Sequence, residues 1–439
     1  MILVDATGRR TRYRLHGGVI QLPTIRHRRQ LSLLIEAKAA ICDLMILKIN
    51  PAVDVVASPP IAEAVSWLPE SPPAGTTSLL DLAQAVPNYN PAPDLLDYLG
   101  RAAADPKTAF YTPILGLPEL RETLSAALST EYVTSVSPSD VAITTGCNHA
   151  FCMATAAVAG AGDEIILPEP FYFNHDMWFT MQGIRKVVLP CREEDEGMVP
   201  DVLEAERLIT PRTRAIVLIT PNNPTGTIYS EDRLLAFYRL AERHGIALIL
   251  DETYKDFRPA GKGAPDAPHR LFQEASWPEV LIQLYSFSKS YSLTGYRVGS
   301  LVAGPKVMDA VSKIADTITI CPPHIGQLAA LYGLQNLNPW RSEQCARVLG
   351  LVGALDQAFQ AHPSTYQLIS RGAFFAYLRH PHEGRSSIDV AKQLAREQGL
   401  LVLPGEFFGD SQKDYLRIAF ANADAGQLVD LAKRLAASQ

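Results

Sequence analysis

The stretch "VLIQLYSFSKSYSLTGYRVGS", Val280 to Ser300, passes from an apolar run directly into serines, one lysine and one arginine. A solvated surface lysine needs no such setting. Val280–Ser288 reads as a strand, and Lys289 falls where it gives way to a loop. Four other segments share this character: "DVAITTG" (140–146), "DEIILPE" (163–169), "AIVLITP" (215–221) and "IALILDE" (246–252). Between them lie helix-like stretches such as "SEDRLLAFYRLAERHG" (230–245). There Ser230, Glu231 and Asp232 suit a helix start and Gly245 suits the stop. Strands alternating with helices predict an α/β fold, a mainly parallel sheet covered on both faces. After about residue 330 the pattern becomes helix, short strands ("GAFFAYL", "LVLPGEFFG", "YLRIAFA") and helix, a smaller α+β unit.

The 439 residues are too many for one compact core, so two domains are expected. Hydrophobic residues at 47% and charged residues at 20% are ordinary for a globular chain, and a net charge of −6 offers no basic field for nucleic acid. Six cysteines without paired or metal-like spacing read as free thiols in a reducing cytoplasm, and no metal site is expected. No apolar run reaches membrane-spanning length. Residues 1–44 are rich in arginine and nearly free of acid. They read as a poorly ordered or non-native leader, and the folded chain is expected from Met45 onward.

In open α/β sheets, ligands bind at the carboxyl ends of the strands. Those ends carry Gly146, the segment 168–175, Asn223, Asp251 and Lys289. Lys289 is flanked by Ser286, Ser288 and Ser290 and followed by Arg297. Hydroxyls and a guanidinium make a phosphate cradle, and an amine beside it suggests pyridoxal 5′-phosphate held as a Schiff base. Taken singly, Lys289 also reads as a surface charge. "TTGCNHAFCMATAA" (144–157) opens a helix at Gly146, whose free N–H groups suit an anion; a plain strand-to-helix turn fits equally well. "PNNPTG" (221–226) is turn-like, and the Asn223 amide offers a donor to a ring oxygen. In "LILDETY" (248–254) Asp251 ends a very apolar strand. A buried carboxylate needs a partner, and a pyridinium N–H supplies one; a helix-capping role stays open. Tyr254 reads either as a donor to the same cofactor or as core. In "PEPFYFNHDMWF" (168–179) an aromatic face suits ring stacking, and His175 suits a place behind Asp251.

With these residues in hand, the chain resembles the class I/II aminotransferases, fold-type I pyridoxal-phosphate enzymes related to aspartate aminotransferase. The resemblance runs from about Asn50 to the C-terminus. "SFSKSYSLTGYRVG", "DETY" and "NNPTG" carry it, in the family's order and with close to its spacing. It implies a large domain with a mainly parallel seven-stranded sheet sandwiched by helices (96–330), a smaller α+β domain (331–439), and a segment 45–95 contributing to the small domain. It implies that Lys289 holds the cofactor and moves the substrate proton, that Asp251 pairs with the pyridine nitrogen, and that Asn223 and Tyr254 bind its ring oxygen. Tyr172 matches the stacking residue and His175 the donor behind Asp251. Ser286, Ser288, Arg297, Gly146 and the Cys147 and Asn148 amides match the phosphate site. Tyr111 matches a tyrosine that reaches the partner subunit's phosphate, which implies a homodimer. Arg417 matches the binder of the substrate α-carboxylate.

Two positions depart from the family pattern. The LxxGxP motif reads "LAQAVP", with Ala85 at the glycine beside the substrate. Asn148 stands where some aspartate-specific members have lysine, which argues against strict aspartate specificity. The implied reaction is ping-pong amino transfer between an L-amino acid and a 2-oxo acid. The same residues would serve elimination, cyclisation or oxidation on this cofactor. A non-catalytic aminotransferase-like regulator is the more distant alternative.

Overall fold

The computed structural model describes residues 2–4, 10–12, 47–69, 78–259 and 267–438. The expected leader lies outside these residues, except for two short antiparallel strands, Ile2–Val4 and Arg10–Arg12. By contacts the chain forms two units, Met1–Asp54 and Val55–Gln439. The second holds every element discussed below.

The large sheet of this unit comprises β1 (Val141–Thr144), β2 (Glu164–Glu169), β3 (Arg185–Glu194), β4 (Gly197–Pro200), β5 (Thr213–Ile219), β6 (Ala247–Asp251), β7 (Leu281–Ser286) and β8 (Gly299–Val302). Their spatial order is β1-β8-β7-β6-β5-β2-β3-β4. The run β7-β6-β5-β2-β3 is parallel throughout. β8 is antiparallel to both its neighbours, and β4 folds back on β3 as a hairpin. The sheet is therefore the expected mainly parallel one, with a hairpin strand added at one edge. Side chains alternate between two cores. Leu218 and Leu250 join Leu124, Leu128 and Phe237 on one face; Val217 and Ile249 join Phe151, Ala154 and Val311 on the other. Burial on both faces is why these strands read as continuous apolar runs.

A second, antiparallel sheet has the order β9-β10-β12-β11, with β9 Gln367–Gly372, β10 Phe375–Arg379, β11 Leu403–Pro404 and β12 Tyr415–Ala419. Its core draws on the helices Asn338–Ala361, Ser387–Glu397 and Ala425–Ala437, and also on Ala64, Trp67, Leu80 and Leu82. Leu80–Asp81 pairs in parallel with Leu400–Leu401. The amino-terminal part of the unit is thus built into the carboxyl-terminal one.

The strand read as Val280–Ser288 ends at Ser286, and Phe287–Ser290 forms one helical turn. Ser286 causes the break: its hydroxyl accepts the Ser288 N–H at 3.2 Å, a local bond that competes with the sheet ladder. The helix Glu231–His244 ends as read, with Gly245 left-handed at φ 62°. Cys147, Cys152, Cys191, Cys321 and Cys345 are free thiols; Cys42 lies outside the described residues. Among the described residues no helix is long and apolar enough to cross a membrane.

Candidate active site

The carboxyl ends of the strands meet because the register brings them level. Leu284 of β7 and Ile219 of β5 both pair with Asp251, the last residue of β6. Just beyond these ends a cavity of about 160 Å³ opens. It is lined by Cys147, Asn148, Tyr172, Ile219, Asn223, Asp251, Thr253, Tyr254, Ser286, Ser288, Lys289 and Arg297. Most residues singled out from sequence therefore converge on one space.

Lys289 sits in the helical turn after β7 and is partly buried. Its Nζ donates to the Ala85 carbonyl at 2.6 Å and lies 5.9 Å from the Tyr254 ring centroid. The Tyr89 hydroxyl donates to the Lys289 carbonyl at 2.8 Å. Burial, reinforced by the Arg417 and Arg297 guanidinium groups, lowers the amine from the usual 10.5 to about 8. A useful fraction of neutral amine is then present near neutral pH.

Asp251 is buried. Burial pushes its carboxyl up, while hydrogen bonds from Thr253 and Cys147 oppose that rise. Its Oδ1 accepts the Thr253 N–H at 2.9 Å and the Cys147 thiol at 3.6 Å. His175 Nε2 lies 3.9 Å from Oδ2, beyond hydrogen-bond reach. His175 stacks on Phe151, with centroids 3.5 Å apart, and burial lowers it to about 3, so its imidazole is neutral.

The cavity is also suited to an anion. Gly146, at φ 80°, precedes the helix Cys147–Val158, and no side chain caps its first N–H groups. A Cβ at Gly146 would lie 2.4 Å from Arg297 Nη2, so only glycine lets the guanidinium lie against this helix start. Arg297 itself is left-handed at φ 53° and donates to the Thr294 carbonyl at 3.0 Å. Ser286 and Ser288 line the same space. Backbone N–H groups, hydroxyls, a guanidinium, a carboxylate and an amine lining one cavity make up the set of groups that pyridoxal 5′-phosphate requires.

Of the remaining sequence-derived residues, Tyr172 and Asn223 line the cavity, and Arg417 is bonded to Asn223. Tyr172 is the residue before the helix Phe173–Gln182, and its hydroxyl accepts the Asn174 amide at 2.9 Å. Asn223 Oδ1 accepts Arg417 Nη1 at 3.3 Å, which leaves the amide Nδ2 as the donor toward the cavity. Arg417 is fully buried on β12 and also donates to the Ala83 carbonyl. Tyr111 does not join the cavity within this chain; it is 79% exposed. Sequence reasoning missed Thr253, Ala83 and Tyr89. Thr253 was readable as the neighbour of Asp251. Ala83 acts through a backbone carbonyl and leaves no mark in sequence.

Comparisons with known proteins identify the family of the chain. A family model for aminotransferase class I and II matches residues 77–435. The chain is 28% identical over 368 residues to an aromatic aminotransferase of Arabidopsis thaliana, covering 82% of this chain and 90% of that protein. It is 29% identical over 355 residues to an aspartate/prephenate aminotransferase of Thermus thermophilus, covering 79% and 87%. A solved mutant of Thermus thermophilus aspartate aminotransferase superposes with a TM-score of 0.78 at 25% identity, covering 90% of this chain and 100% of that one. Fold and site together define an enzyme that transfers nitrogenous groups. The chain belongs to the aminotransferase class I and II family.

Proposed function

We infer that this protein moves an amino group between an L-amino acid and a 2-oxo acid in two half-reactions, using pyridoxal 5′-phosphate bound in the cavity at the strand ends. The observation that carries this reading is the convergence of Lys289, Asp251 and an anion cradle on one 160 Å³ space. Bound there, the cofactor supplies an electron sink for the bond broken at the substrate Cα.

Each residue then has a task. Lys289 would hold the cofactor through its Nζ, and the same Nζ, when free, would be placed to carry the proton between the substrate Cα and the cofactor side. An amine lowered to about 8 suits both roles. Asp251 would pair with the ring nitrogen and keep it protonated, with neutral His175 behind it. The Asn223 Nδ2 and the Tyr254 hydroxyl would bind the ring oxygen, and Tyr172 would stack on the ring. Ser286, Ser288, Arg297 and the amides of Cys147 and Asn148, with Gly146 giving room, hold the phosphate. Arg417 takes the substrate α-carboxylate, exchanging its bond to the Ala83 carbonyl for the ligand; Ala85 borders that position.

Tyr111 is exposed beside Phe110 at 71%, and Ile318 and Ile320 are exposed at 54% and 45%. The exposure of Tyr111, the residue that matches the family's cross-subunit tyrosine, supports a homodimer in which it completes the partner's phosphate site. We assign the chain to the cytoplasm, on the strength of its free thiols. We divide it into a large cofactor-binding domain over 96–330 and a small domain over 331–439, to which 45–95 contributes.

The test is to load the protein with cofactor and add single amino acids. A true donor abolishes the absorption band of the lysine-bound cofactor, and a 2-oxo acid restores it. Release of product without need of an acceptor would instead mark an eliminating enzyme.

A further inference from the structure

One helix borders Asp251 on both sides, directly through Cys147 and through His175, which Phe151 of that helix packs against. Cys147, the first residue of the helix Cys147–Val158, places its Sγ 3.6 Å from Asp251 Oδ1. One turn later Phe151 stacks on His175, interplanar angle 8°, and His175 faces Oδ2. The Thr253 N–H reaches Oδ1 at 2.9 Å. Oδ1 thus accepts from the Thr253 N–H and the Cys147 thiol, the Thr253 hydroxyl also donates to the carboxylate, and the His175 ring nitrogen lies near Oδ2 but outside hydrogen-bond distance.

We propose that Cys147 is a positioning residue: its S–H donates to Asp251 Oδ1 and, together with the Thr253 N–H, fixes the rotation of the carboxylate so that it meets the cofactor ring nitrogen. This rests on the role given to Asp251 above. The thiol suits a donor's part. Burial, then the adjacent carboxylate, pushes it well above its ordinary range, so the proton stays on sulfur. The need is physical as well. Burial pulls Asp251 toward the neutral acid, which could not hold a ring nitrogen protonated. Donors that favour the carboxylate oppose this. A thiol is a weak donor in water, but its bond to a buried charge is not screened. Serine would keep the donor with a shorter reach, and alanine would abolish it.

The experiment uses full-length protein loaded with pyridoxal 5′-phosphate labelled with ¹⁵N in the ring. It compares Cys147→Ala, Cys147→Ser and Asp251→Asn. The ring ¹⁵N resonance reports protonation of that nitrogen, and equilibrium dialysis gives the cofactor Kd. Cys147→Ala is expected to move the resonance toward the unprotonated position and to loosen the cofactor about threefold to tenfold. Cys147→Ser is expected to fall between alanine and the parent. If alanine matches the parent in both readouts, or if alanine and serine change alike, the thiol is not acting as a donor and the proposal is overturned. Asp251→Asn separates the two levels of the argument. If it leaves the resonance unmoved, the role of Asp251 fails. If it moves the resonance and Cys147→Ala does not, only the role of the thiol fails.

Discussion

Replacing Arg417 by methionine should make Lys289 a more ordinary lysine. Burial is the largest cause of its low midpoint, and the Arg417 charge is the next. At pH 8 an amine that titrates at about 8 is half neutral, whereas one at the ordinary 10.5 is neutral in about 0.3% of molecules. The setting therefore enriches the reactive form roughly a hundredfold, equivalent to about 3 kcal/mol at 1.36 kcal/mol per pH unit. Removing one of the two neighbouring guanidinium groups leaves the burial in place. The midpoint should then rise only part of the way, to between about 8 and 10.5. Competitive acetylation of the cofactor-free protein across pH, followed by mass spectrometry of the peptide bearing Lys289, measures this midpoint directly. A parent midpoint near 10, or a lower midpoint in Arg417→Met, would refute the electrostatic reasoning.

Other consequences follow from single positions. Gly146→Ala puts a Cβ 2.4 Å from Arg297 Nη2 at a backbone φ of 80°. It should cost roughly 1–3 kcal/mol in thermal unfolding and weaken cofactor binding; an unchanged Kd would remove Gly146 from the anion cradle. Glu252 is buried, which alone would raise its carboxyl, but His269, Lys255 and Tyr132 bring it down to about 2. A carboxylate depressed on folding stabilises the native state above its ordinary 4.5 and loses that stabilisation as pH falls toward about 2. Glu252→Gln should accordingly flatten the acid limb of the stability–pH curve over that window, and identical slopes would contradict the assignment. Tyr111→Phe should weaken cofactor binding about threefold to tenfold in a protein that sediments as a dimer, and a monomeric parent would exclude that role.

The sheet was readable because its strands are buried on both faces and so appear as short apolar runs with polar punctuation at their ends. That punctuation is the site: Asp251 and Lys289, far apart in the chain, become neighbours because β6 and β7 run parallel in register. What stayed hidden depends on contacts between distant segments. The Glu252 carboxylate is met by the Tyr132 hydroxyl at 2.6 Å and Gln283 Nε2 at 2.9 Å, with His269 Nε2 at 3.4 Å. Nothing local to "DETY" announces these partners. The Ala85 carbonyl that holds Lys289 acts through backbone, which every residue has. The strands β3, β4 and β8, which lie toward the two sides of the sheet, were not singled out either. β3 is long and largely exposed, so it lacks the apolar run that marks the central strands.

The most direct measurement is chemical trapping. Protein loaded with pyridoxal 5′-phosphate is reduced with borohydride, which makes a cofactor–lysine bond permanent, and then digested and sequenced by mass spectrometry. The added mass should sit on Lys289 and vanish in Lys289→Ala. A label on any other lysine, or one that persists in that variant, would contradict the assignment of this cavity as the cofactor site.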